Sequence, residues 1–159
     1  MRIALVFLAL AGCAASTGPN ASAGQGAPSA PAPQPPEPDA SAFRVGIEAN
    51  EAKFHVPGTV TARLGEEVQI GDLRVRPLAV VQDNRCPLDV TCIVAGTVQL
   101  RVAVSGAGEQ MMVLDRPVNV AGGRRLTFVA AAPLNWARPP AGVDPNEPRR
   151  FAFRLGGVG

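Results

Sequence analysis

The chain contains no tyrosine, one tryptophan (Trp136), one histidine (His55) and one lysine (Lys53). With aromatics at 4% of the residues there is no stacking platform for a sugar. Nucleophilic hydrolysis needs a hydroxyl or thiol beside a base that a third group orients. The only histidine lies in "KFHVPG", ahead of a turn, and the only serine past residue 41 is Ser105, in "VSGAG" at a strand end. No pattern brings them together, and a lone His beside apolar residues reads as packing or surface. The carboxylates Glu66, Glu67, Asp72 and Asp115 are available for glycoside chemistry. However, "LGEEVQIGD" puts its adjacent glutamates on opposite faces of a strand or in a turn, which reads as solvation. Structural zinc needs about four Cys or His ligands, and no glycine-rich phosphate cradle opens a helix. Over residues 42–159 fourteen cationic side chains stand against eleven acidic ones, a net of +3 spread along the sequence. That is no footprint for nucleic acid.

What is present begins with an export signal. "MRIALVFLALAG" has one basic residue, Arg2, then an apolar run, then small residues. The run from Ile3 to Ala15 is shorter than the roughly 18 residues that cross a bilayer as a helix. Its end, Leu10-Ala11-Gly12-Cys13, resembles the lipobox of bacterial lipoproteins. In that family the Cys thiol takes a diacylglycerol, the peptide is cut before it, and the new amine is acylated. The resemblance implies that residues 1–12 are a signal peptide and that Cys13 anchors the chain in a lipid bilayer. Ala14 follows, where an Asp would signal inner-membrane retention, so the expected address is the outer membrane facing the periplasm, if the cell has one.

Residues 13–41 form the expected tether, since positions 14–41 are mostly Ala, Pro, Ser and Gly and hold seven of the sixteen prolines. With no bulky hydrophobe to bury, such a segment cannot offset the entropy of ordering. "PAPQPPEP" favours polyproline II, and fully extended the tether would reach about 85 Å.

Residues 42–159 are expected to form one all-β domain. A period of two puts Val60, Ala62 and Leu64 on one face, then Val98, Leu100, Val102 and Val104, then Leu126, Phe128 and Ala130, and finally Phe151, Phe153 and Leu155. The phase slips at Pro77, where a bulge or an edge tolerates the missing N–H. Glycine turns separate these runs, no segment shows a helical period, and residues 133–148 read as a proline-studded surface loop. Seven or eight short antiparallel strands predict a β-sandwich, immunoglobulin-like in general shape, with a small barrel as the alternative.

The remaining cysteines lie in "DNRCPLDVTCIVAG". In an oxidising compartment Cys86 and Cys92 are expected to pair as a disulfide. The five residues between them can double back within bridging distance. The alternatives are a redox pair, which lacks the C-x-x-C spacing, and a metal site with His55. The stretch resembles the D-S-R-C-P-x-x-V-x-C-x-W-A-G signature of a family of small bacterial lipoproteins and secreted domains with no assigned activity. Asp83, Arg85, Cys86, Pro87, Val90, Cys92, Ala95 and Gly96 match; Asn84 replaces the usual Ser and Val94 stands where Trp is common. Asp83 and Arg85 read either as a polar patch on a rigid loop or as a pair closing their own turn. Trp136 reads as an exposed contact or a lid over the open end of the core.

These readings give no catalytic residue, cofactor or metal. The expected function is a non-catalytic envelope lipoprotein whose domain contacts a protein or envelope material, with Asp83, Arg85 and Trp136 as the candidate interaction loop. The alternatives are a small-ligand, metal or redox accessory domain using Cys86, Cys92 and His55, and an inhibitor of an exported hydrolase.

Overall fold

The computed structural model describes residues 40–157. The expected signal peptide, the lipobox (Leu10, Ala11, Gly12 and Cys13) and the tether as far as Asp39 lie outside the described residues. A 3-10 turn over Ala40–Phe43 leads into helix α1, Arg44–Phe54. Eight strands follow: β1 (Thr59–Arg63), β2 (Val68–Ile70), β3 (Leu73–Asp83), β4 (Val98–Val104), β5 (Gly108–Val113), β6 (Pro117–Asn119), β7 (Arg125–Ala132) and β8 (Arg150–Gly156). They form two antiparallel sheets of four, in the orders β1-β8-β7-β6 and β2-β3-β4-β5. This is a β-sandwich and not a closed barrel.

The alternation in β4 places Val98, Leu100, Val102 and Val104 in the core between the sheets, facing Phe128, Phe151 and Phe153 from the other layer. Those three rings are the largest side chains buried between the sheets, with Phe128 set 5.7 Å from Phe153 and 6.0 Å from Phe151. The phase slip in β3 is a real irregularity: its register against β4 shifts between Pro77 and Ala79, and again between Val80 and Gln82. Pro77 is buried there, and its carbonyl accepts the Gly65 N–H at 2.7 Å.

Three expectations need correction. Leu64 lies past the end of β1 and is exposed, because Gly65 turns the chain at once with φ 79°. Ala130 is buried, but on the opposite face from Leu126 and Phe128. A bulge between Phe128 and Ala130 reverses the phase, so Ala131 enters the inter-sheet core in its place. Helix α1 corrects the expectation that no segment is helical. Phe54 is its only fully buried residue and Val45 is 80% exposed, so its apolar residues never form the stripe that announces an amphipathic helix. Phe54 packs with Val129, Ala130, Ala132 and Ala152 on the outer face of the first sheet. Three alanines make that face shallow enough for a helix to lie close.

Candidate functional site

Two long connections carry the sequence-singled residues: 84–97 between β3 and β4, and 133–149 between β7 and β8. Asp83 ends β3 and Arg85 follows two residues later. The guanidinium meets the carboxylate with two parallel bonds, Nε to Oδ1 and Nη2 to Oδ2, both 2.9 Å. Their side chains are only 11% and 7% exposed, so this is an inward-facing pair. Arg85 also donates to the carbonyls of Ala131 at 2.8 Å and Pro133 at 2.9 Å. Its five donors are fixed in a fork, which suits one residue holding several acceptors.

Asn135 completes the cluster. Its Nδ2 donates to Asp83 Oδ1 at 3.1 Å and to the Arg85 carbonyl at 3.4 Å. Arg149 reaches Asp83 Oδ2 from the far end of the second connection, at 3.2 Å. Burial alone would raise the Asp83 carboxyl's pKa. The Arg85 hydrogen bonds and charge, with Asn135, outweigh it and hold the group below the ordinary carboxylate value.

The disulfide loop is fastened to the same partner. Cys86 and Cys92 are bonded, with Cα atoms 5.9 Å apart. Inside that loop the Leu88 N–H donates to the Asn135 carbonyl at 3.0 Å. The Asp89 carboxylate accepts the Ala137 and Arg138 N–H groups at 2.7 and 2.8 Å. Those backbone donors, Ala137 first, lower the Asp89 pKa against a smaller opposing effect of burial. At the base, Asn84 donates to the Thr97 carbonyl at 3.1 Å and accepts the Thr97 N–H on its Oδ1 at 2.8 Å. Asn84 therefore pins the return of the loop through both its backbone and its side chain. Gly96 is required at this point: a Cβ there would sit 1.5 Å from the Asn84 carbonyl oxygen.

Trp136 is half-buried, its ring edge-on to Phe43 at 5.1 Å. It lines a cleft of about 450 Å³ with Val143, Asp144, Glu147 and Arg149. A second hollow of about 140 Å³ lies between the Trp136 loop and Glu51 of α1. Beside it Arg150 grips Glu51 through bonds of 3.0 and 2.9 Å and lies 4.8 Å over the Phe54 ring.

The outward surface of the disulfide loop is of a different kind. Residues 90–95 are all exposed and carry no charge. Ile93 is 104% exposed and Val94 78%, with Val90 beside the disulfide at 44%. Asp83, Arg85 and Trp136 are brought to one end of the sandwich, but the groups facing outward at the loop tip are Val90, Ile93 and Val94. Sequence reasoning missed Asp89, Asn135 and Arg149. The one local signal was an acid locked inside a six-residue disulfide spacing.

The other candidates stand apart from this cluster. His55 caps the end of α1, largely exposed and 3.4 Å from Glu51. Ser105 Oγ accepts the Arg74 N–H at 2.9 Å. Asp72 pairs with Arg124, Glu66 accepts the Arg63 N–H at 2.8 Å, Glu67 lies 3.6 Å from Arg74, and Asp115 bonds Lys53 at 3.3 Å. Among the described residues no three His, Cys, Asp or Glu side chains converge as a metal site requires, and no helix is long and apolar enough to cross a membrane. Comparisons with protein-family models, curated proteins and solved structures return no match for the chain.

Proposed function

We propose that the chain is a membrane-anchored, non-catalytic cell-envelope lipoprotein, held by acylated Cys13, whose β-domain contacts another protein or envelope material. The observation that supports this reading is the division of labour at the loop end. Asp83, Arg85 and Asn135 face inward and, with the surface carboxylate of Asp89, hold two loops together, while the uncharged residues 90–95 face outward on a disulfide-braced support. Loops fixed on a rigid scaffold are where binding surfaces sit, and an exposed aliphatic tip that packs on nothing suits contact better than reaction.

Two measurements test it. Mass spectrometry of the protein from its native envelope should find Cys13 as the first residue, carrying acyl chains; an unmodified Cys13 inside a longer peptide overturns the anchor. Crosslinking in living cells should capture envelope components through residues 90–95. Substrate turnover by the purified chain, abolished by changing one side chain, would overturn the non-catalytic reading.

A further inference from the structure

We infer that the tip formed by Val90, Ile93 and Val94 docks into the interfacial region of the bilayer that carries the anchor. This inference rests on the lipid-anchor reading and names the surface that the loop end meets.

Three observations select a lipid surface. The first is shape. Ile93 at 104% exposure has nothing around it, so the tip is a protrusion and not a groove. A bilayer interface accepts a convex apolar tip without a preformed pocket, whereas a protein partner must supply one. The second is charge. Residues 90–95 bring no ionised group to desolvate, and the nearby acid, Asp89, is already occupied by the Ala137 and Arg138 N–H groups. The exposed side chain of Arg138 lines a surface hollow with Val90, which puts a cation beside the tip where an anionic headgroup would sit. The third is where the tether joins. The described chain begins at Ala40, Phe43 packs on Trp136, and the Trp136 loop is bonded to the disulfide loop through Leu88 and Asp89. The tether therefore joins the domain at the end that carries the tip.

The disulfide restrains the tip on its N-terminal side. Val90 lies inside the ring that Cys86 and Cys92 close and Ile93 follows it directly, which reduces the loop entropy to be lost when the tip enters the interface.

The test uses the mature chain, beginning at Cys13, coupled through that thiol to a maleimide-bearing phospholipid. Because Cys86 and Cys92 are joined, Cys13 is the one thiol free to react. Vesicles are made of phosphatidylethanolamine and phosphatidylglycerol, with or without bromine on the acyl chains, and Val94→Trp serves as reporter. Emission from the reporter, after subtraction of the Trp136 signal of the unsubstituted chain, should fall at least twofold on the brominated vesicles. Adding Ile93→Asp should cancel that loss. Equal emission from both vesicle types overturns the inference. Equal emission together with a protein crosslinked to the tip in whole cells reassigns the tip to a protein partner. Because the coupling is chemical, absence of natural acylation at Cys13 would defeat the anchor reading without altering this result.

Discussion

Replacing Arg85 by Met retains most of the side chain's length and removes the charge and all five donors. The wild-type group is about nine-tenths buried and bonds Asp83 twice, the Ala131 and Pro133 carbonyls, and Asn135. Removing one partner of a buried pair costs about 3–5 kcal/mol, chiefly because the other charge is left uncompensated. Asp83 would keep Asn135 and Arg149, at 3.1 and 3.2 Å. The expected loss at pH 7 is therefore at the low end, about 3 kcal/mol, read from urea unfolding followed by circular dichroism. A loss below about 1 kcal/mol, the value of an exposed ion pair, would refute the reasoning. Arg85→Met with Asp83→Asn should lose about 1–2 kcal/mol less than the sum of the single variants, because no carboxylate is stranded. The pH dependence has a definite sign. The folded-state Asp83 pKa lies below its usual 3.8, so the unfolded chain takes up this proton first on acidification. The contribution is complete above roughly pH 4 and is lost as the pH falls from there through the folded-state value. The stability gap between wild type and Asp83→Asn should narrow over that acid range.

Gly96→Ala forces the Asn84 carbonyl away and disrupts both bonds between Asn84 and Thr97, one backbone and one to the Asn84 Oδ1; at about 1 kcal/mol for each of two hydrogen bonds, urea unfolding should register a loss of about 2 kcal/mol or more. Asp89→Ala removes the acceptor for two amides, so hydrogen exchange at Ala137 and Arg138 should accelerate at least tenfold while β4 and β7 amides stay unchanged; unaltered exchange at those two positions would count against the clasp. Cys86→Ser with Cys92→Ser opens a short loop and should lower stability by about 2 kcal/mol without unfolding the sandwich, checked by urea titration under non-reducing conditions.

The sandwich was legible because β4 buries alternate side chains and β8 alternates large apolar residues with others, and alternation is a local property of the sequence. What local patterning cannot report is an inserted residue. At Val129 a bulge moved Ala130 to the helix side and Ala131 into the core, although the letters "FVAAA" read equally well in either phase. The helix escaped for a related reason: it covers alanines, and "RVGIEANEAKF" needs to bury little more than Phe54 to do so. At the loop end the Asp83–Arg85 pair is two residues apart and could be read as a turn. Its other partners, Ala131, Asn135 and Arg149, lie 46 to 66 residues away in the contacts they make, and no spacing rule connects them. The apolar tip was visible as letters, but in a β-rich chain Ile93 and Val94 look like any strand pair until the structure shows that they face solvent.

Arg149 and Arg150 are neighbours in sequence that fasten opposite structures, the first bonding Asp83 of the loop cluster and the second Glu51 of the helix. Slide β8 by one residue and both arginines move the same way, so one carboxylate would meet an arginine while the other would face Pro148 or Phe151. The phenylalanines weigh the same way: the slip would push Phe151 and Phe153 against the helix, where Ala130 and Ala132 leave no room, and would turn Arg150, Ala152 and Arg154 toward the space between the sheets. Volume and charge select the same alignment of the last strand, one from each side of its sheet.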